Sequence, residues 1–313
     1  MKRFIGLLVV NAVFVLFAWL FVPHFTSALN LNALVTNMAF EMLALGPLAL
    51  LLIGGFFDLS LDGIVALTGI VAGMLMSSGV HPLVACGIAL AVAGCFGTLN
   101  GWGVSRWGLN PLVLTMATWW IASGAATGVS SGITPYGFPD LFQALGQSQV
   151  LGVRVTVIYG IIAVVAFQFI LAKTKFGARV YMTGDNPEAS RMMGIGTDNI
   201  TLALYVTSGL MAGLIGLVMA SRLNAGSANA VDGMTLRVIA ASVIGGCALS
   251  GGRGNIINGL LGLTLMSMFA NSATLLGVSA YWQKAIIGSV LLVSILADQL
   301  GGRWFLTQKR RTR

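Results

Sequence analysis

The chain has 313 residues, of which 57% are hydrophobic and only 8% charged, against about 25% charged in ordinary soluble domains. That composition cannot keep a polar surface around a water-soluble core, so the chain is read as an integral membrane protein with the lipid bilayer as its first partner. The formal net charge of +8 would suggest nucleic acid in a soluble protein. Here its placement argues for topology instead. Lys2 and Arg3 open the chain, Lys173, Lys175, Arg179 and Arg191 fall in one long polar interval, and Arg303, Lys309, Arg310, Arg311 and Arg313 close it. Basic residues gather on the cytoplasmic side, so both termini, the 173–200 loop and the basic 299–313 tail are expected there, with no nucleic-acid partner.

A spanning helix needs about 20 apolar residues. That ruler places spans near 4–22, 34–55, 64–80, 83–104, 111–130, 153–172, 201–221, 237–249, 256–275 and 280–298. The expected fold is all-α, one transmembrane domain over 1–313 with about ten helices, some broken by glycine. An even number puts both ends and the 173–200 loop on one side, in agreement with the basic residues. The loop on the opposite face, Ser131–Gly152, has no Lys or Arg. The first apolar run follows Lys2 and Arg3 as a signal peptide would. It exceeds the usual apolar length of about 7–15 residues and reads as an uncleaved span.

Within the second span, Glu41 carries a charge that costs about 2.5–3.5 kcal/mol at a helix centre. It must face a pathway or pair helices inside the bundle. Asn37 lies one turn before it. The second span ends at Ile53-Gly54-Gly55, followed by Asp58, Ser60 and Asp62. Capping of the next helix is the plain reading of the two carboxylates, with a place on a solute path as the alternative. A second broken segment, Ile244-Gly245-Gly246, recurs late in the chain, and the two are expected to run in the same direction. Such breaks mark transporter pathways. Four G-x-x-x-G spacings, Gly69/Gly73, Gly97/Gly101, Gly124/Gly128 and Gly209/Gly213, predict closely packed helices.

Asn100, Thr115, Thr118 and Asn271 offer neutral hydrogen bonds suited to a hydroxylated solute, although such residues also join helices. Trp119 and Trp120 could stack on a solute or form an interfacial belt. Cys86, Cys95 and Cys247 read as small buried hydrophobes, without disulfide or metal spacing. His24 and His81 each adjoin a proline, which makes a metal site improbable. No nucleophile, zinc or phosphate-loop motif is present; Ser250-Gly251-Gly252-Arg253-Gly254 lacks the Lys-Ser/Thr of a P-loop. The chain is therefore read as a non-enzyme without cofactor, and any ATP is bound by another chain.

The longest polar interval, Lys173 to Ile200, contains a short punctuated helix. Asn186 caps it, Pro187 occupies its first position and Gly194 ends it. Ala189, Met192 and Met193 form an apolar edge beside Glu188 and Arg191. An amphipathic element of this kind docks in a partner's groove or lies on the bilayer surface.

The run GFFDLSLDGIVALTG resembles the GGIDLSVGS signature of bacterial simple-sugar ABC-importer permeases of the ribose, xylose and arabinose branch. FGARVYMTGDNPEASRMMGI is similar to that family's cytoplasmic loop, with Gly184, Asn186, Glu188, Ala189, Arg191, Gly194 and Ile195 matching. IAASVIGGCALSGGRGN is similar to its late glycine-rich motif. The resemblance implies a single permease domain in the bacterial inner membrane, paired with a second permease subunit. It also implies two ATPase subunits below, a periplasmic solute-binding protein above, and a 186–194 helix that couples ATP binding to the path. Phe56 and Asp62 depart from the signature, each standing where glycine is usual. Those departures leave open a nucleoside, polyol or furanose-like signalling molecule as cargo. An ion-coupled carrier using Glu41 and Asp58 is the alternative from another class, and a scaffold without flux a third.

Overall fold

The computed structural model describes residues 2–228, 231 and 233–279, with 282, 283, 285, 286, 288, 289 and 292. The expected span at 280–298 and the basic tail lie outside this description, apart from those isolated positions. The other nine apolar stretches all form helices, although those expected to span at 64–80 and 237–249 are too short to do so: α1 (Lys2–Phe21), α2 (Ala28–Ile53), α3 (Leu61–Ser77), α4 (Pro82–Ser105), α5 (Pro111–Val129), α7 (Val155–Lys173), α10 (Thr197–Leu223), α11 (Met234–Gly245) and α12 (Ile256–Leu275). Between them lie α6 (Asp140–Gln147), a short antiparallel hairpin of β1 (Gln149–Val150) and β2 (Val153–Arg154), α8 (Lys175–Asp185) and α9 (Pro187–Met192). Among the described residues, seven helices are long and apolar enough to cross a membrane; α3 and α11 are shorter.

Local chemistry sets several boundaries. α2 starts earlier than expected because Ser27 caps it, accepting from the Asn30 amide. Pro47 does not end that helix. His81 caps α4 through its ring nitrogen and Asn110 caps α5, each followed by proline at the first helical position. The expected buried cysteines are corrected: Cys247 is buried, Cys86 half-buried and Cys95 exposed on the outer face of α4.

Helix contacts fix the relative direction of several spans. Gly97 packs on Tyr205, Val206 and Gly209, and Gly101 on Leu202, so α4 and α10 run antiparallel. Gly160 meets Ala39 and Met42 while Phe167 meets Gly46, so α2 and α7 run parallel. Arg3 packs on Gly246, which places the start of α1 at the same face as the α11–α12 loop. Three of the four glycine pairs meet neighbouring helices or loops. Gly124 and Gly128 instead have no atom within 4 Å of an added Cβ.

The two broken segments decide the architecture. α2 descends to Ile53 at the face that carries α8 and α9. The chain then turns back inside the protein, in non-helical form, to the start of α3. Asp58 reaches Ser208, eleven residues into α10, which is about 16 Å from the face. α3 therefore begins near the middle of the membrane and runs to the opposite face, where Gly73 meets Pro135 and Phe138. After α10 the chain re-enters from that opposite face, where Gly226 donates to Pro135 O at 2.8 Å. α11 then begins in the middle and descends to Gly245. Irregular backbone at this depth is tolerable only when enclosed by protein. The α2 and α11 breaks do run in the same direction, and they meet at one face: Gly252 N donates to Ile53 O at 2.8 Å.

Candidate functional site

One face of α2 carries Asn30, Asn37 and Glu41, spaced by seven and four residues. Each finds a partner on another helix. Asn30 and Asn271 exchange two amide hydrogen bonds of 2.9 and 2.8 Å. Asn37 Oδ1 accepts from both terminal nitrogens of Arg222 at 3.2 Å, and the same guanidinium lies 5.2 Å from the Phe40 ring centroid. Glu41 accepts from Arg237 Nε and Ser267 Oγ, both at 2.9 Å. This carboxylate thus ties α2 to α11 and α12 at once. The pairing offsets the cost of a charge at membrane depth. Arg237 keeps 32% side-chain exposure against 13% for Glu41, so the pair borders open space on its Arg237 side.

Asp62 occupies the first turn of α3 but does not cap that helix. Its Oδ2 accepts from Gly233 N at 3.0 Å, and its Oδ1 from Thr235 N at 3.0 Å and Thr235 Oγ1 at 2.6 Å. It caps α11, across 171 to 173 residues of sequence. Local capping is thereby corrected: Ser60 is the N-cap of α3 and makes no side-chain cap bond. The physical reason is topological. The positive amide ends of two half-helices converge at mid-depth, and a single buried carboxylate satisfies the donors of one from the first turn of the other. The resemblance had placed glycine at this position, and a glycine could make none of these bonds.

Asp58 accepts from Ser60 N at 2.9 Å, from Ser60 Oγ and from Ser208 Oγ at 2.6 Å. Asn100 Nδ2 donates to Ser60 Oγ at 2.9 Å, and Tyr205 donates to Phe57 O at 2.7 Å. These groups form one buried network that anchors the non-helical segment to α4 and α10. Thr115 and Thr118 are buried, with hydroxyls bonded to Pro111 O and Thr115 O of their own helix. Trp119 is half-buried over Gly63, whereas Trp120 is 68% exposed. The structure therefore separates the expected path residues. Asn37, Glu41 and Asn271 share a stripe, Asp58 and Ser60 share a network, and Thr115, Thr118 and Trp119 lie along α5. Arg222 and Arg237 are the residues missed by sequence reasoning. Their signal was present, as the cations at either end of the segment joining α10 to α11.

On the basic face, α9 forms with the expected punctuation. Asn186 Oδ1 accepts from Ala189 N at 3.0 Å, Pro187 stands at the first position, and Gly194 closes the turn at φ 77°. Met192 is 90% and Met193 65% exposed, Glu188 is exposed, and Ala189 is half-buried. Arg191 turns inward along the surface, donating to Thr197 Oγ1 at 2.8 Å and Asp198 Oδ1 at 3.2 Å. Asp198 also lies 3.9 Å from Arg106. On α8, Tyr181 donates to Gly254 O at 2.7 Å; burial pushes its phenol up, so it remains a donor at neutral pH.

A helical bundle with re-entrant broken helices, a polar stripe between α2, α10, α11 and α12 and a presented surface helix defines a membrane transport permease. The chain belongs to the family described as branched-chain amino acid transport system / permease component, whose model matches residues 29–295. It is 34% identical over 281 residues to the ribose import permease protein of Bacillus subtilis, covering 88% of this chain and 87% of that protein. It is 34% identical over 295 residues to the L-arabinose ABC transporter permease protein of Azospirillum brasilense, covering 93% and 86%. Against the D-allose transport system permease protein of Escherichia coli the identity is 30% over 279 residues, covering 88% and 85%.

Proposed function

We propose that this permease carries a simple sugar inward across the bacterial inner membrane, driven by a separate ATP-binding-cassette ATPase. The observation that supports it best is similarity along nearly the whole chain to permeases named for ribose, L-arabinose and D-allose. In this reading about ten spans leave both termini and the 173–200 loop in the cytoplasm. A second permease subunit completes the path, and a periplasmic binding protein delivers the solute. Asn37, Glu41, Asn271, Arg222 and Arg237 line that path, while Asp58, Ser60 and Asp62 hold its broken helices in place. Thr115, Thr118 and Trp119 stand behind them on α5.

The ATPase docks on α9. Glu188, Ala189 and Met192 meet it, Asn186, Pro187 and Gly194 set the helix ends, and Arg191 holds the helix against α10. An ion-coupled carrier loses its basis, because Glu41 is paired with Arg237 and Asp58 accepts three hydrogen bonds. Affinity purification of the tagged permease in mild detergent tests the reading. A near-stoichiometric P-loop ATPase should accompany it and be lost on Glu188→Ala/Met192→Ala. Uptake of labelled ribose, arabinose or allose by cells should depend on the same residues. Recovery of the permease alone, in active form, would overturn the assignment.

A further inference from the structure

The coupling helix α9 has two attachments to the rest of the fold, and they differ in stiffness. Beyond the packing of Ile195 on the core, the polar contacts of its far end run through Arg191, Thr197, Asp198 and Arg106. These are surface ion pairs and hydrogen bonds, with Arg191 and Arg106 side chains 61% and 58% exposed, and contacts of that kind are weak and compliant. Its near end is different. Gly184, two residues before the Asn186 cap, is buried with its backbone against Ile53 O and Gly252 N, where an added Cβ would overlap the first and lie 2.7 Å from the second. Gly252 N closes the last turn of α2 by donating to Ile53 O at 2.8 Å. A Cβ on Gly252, whose φ is 72°, would lie 2.9 Å from Asp185 Cα. Tyr181 adds the hydrogen bond to Gly254 O. Three chain segments thus meet backbone to backbone, without intervening side chains that could yield.

α2 ends at this junction and α11 leads into it through the loop from Gly246 to Gly252, and the two helices carry the two halves of the Glu41–Arg237 pair. Glu41 lies twelve residues up α2 from Ile53, about 18 Å, and Arg237 eight residues up α11 from Gly245, about 12 Å. We propose that this junction, centred on Gly184 and clamped by Tyr181, is the joint through which movement of α9 reaches the Glu41–Arg237 pair. The inference rests on the reading of α9 as the ATPase-docking helix. Gly184 and Tyr181 are then positioning residues for coupling. Close-packed backbone transmits displacement, whereas the exposed arginine clamp absorbs it.

Hydrogen exchange measured by mass spectrometry on the permease purified with its ATPase tests this, with and without a non-hydrolysable ATP analogue. In the wild-type complex the nucleotide should alter exchange in α9 and around residues 37–41 and 235–238. Losing one net hydrogen bond changes an equilibrium about fivefold. Tyr181→Phe should therefore shrink the nucleotide-dependent change at the pair by about that factor while leaving the change in α9 intact. Gly184→Ala should abolish it. A merely structural role would shift exchange equally with and without nucleotide. If Gly184→Ala does not fold, Tyr181→Phe decides alone. An undiminished nucleotide effect at the pair in Tyr181→Phe, or none there in wild type despite an effect in α9, would overturn the joint. Absence of any effect in α9 of wild type would instead overturn the ATPase reading on which it rests.

Discussion

Asp62 is the residue whose removal should report most directly on the meeting of the two half-helices. In Asp62→Ala the Gly233 and Thr235 amides lose their acceptor, and the Thr235 hydroxyl loses its partner. Removing an N-cap costs about 1 kcal/mol, up to about 2 in well-packed proteins. A buried donor left without a partner costs about 1–3 kcal/mol. Thr235 is buried, and its hydroxyl can turn to another acceptor, so a local loss of about 3 kcal/mol is expected. That corresponds to about a hundredfold in an opening equilibrium. Asp62→Asn keeps one side-chain oxygen and should cost about 1 kcal/mol. Amide exchange in detergent resolves these effects, because loss of protection should be confined to the first turns of α11 while the middle of α12 is unchanged. Unaltered exchange at Thr235–Val238 in Asp62→Ala would refute the claim that this carboxylate holds the start of α11.

The glycine pairs should separate in a melting experiment. Gly97→Ala forces a methyl to within 2.6 Å of Tyr205 O and should cost about 1–3 kcal/mol. Gly124→Ala meets nothing and should leave the monomer unchanged or raise its stability by up to about 1 kcal/mol through helix propensity. For the ion pair, Glu41→Ala and Arg237→Ala should each lower the melting temperature, and the double variant should be milder than their sum by about 0.5–3 kcal/mol. Strict additivity would mean that the two groups do not interact. Asn186→Ala removes the cap of a helix of only 6 residues and should weaken ATPase recovery while leaving the melting temperature of the bundle within error.

How much was legible without coordinates follows from the range of each interaction. Seven spans were readable because about 20 apolar residues at 1.5 Å per residue match the thickness of the bilayer whatever their neighbours do, whereas α3 and α11 read as spans and are helices of 17 and 12 residues. The ends of α9 were readable because Asn186, Pro187 and Gly194 act within a single turn. Family membership was readable in three local blocks for the same reason. For Asp62 the sequence left local capping and a place on the path open; the local cap fails because its acceptor oxygens serve a helix more than 170 residues away, and nothing near it in sequence announces that partner. Glu41 could be flagged as costly, yet Arg237 and Ser267 become its partners only when α11 and α12 pack on α2. The glycines likewise looked alike as spacings. Gly97 and Gly184 are held against other backbones while Gly124 faces outward, a difference that depends on which helix lies opposite. Helix caps, apolar segment lengths and charge placement were determined by the sequence itself. The partners of its buried charges were decided only by tertiary structure, because a long-range hydrogen bond exists only once the topology has brought its two ends within about 3 Å.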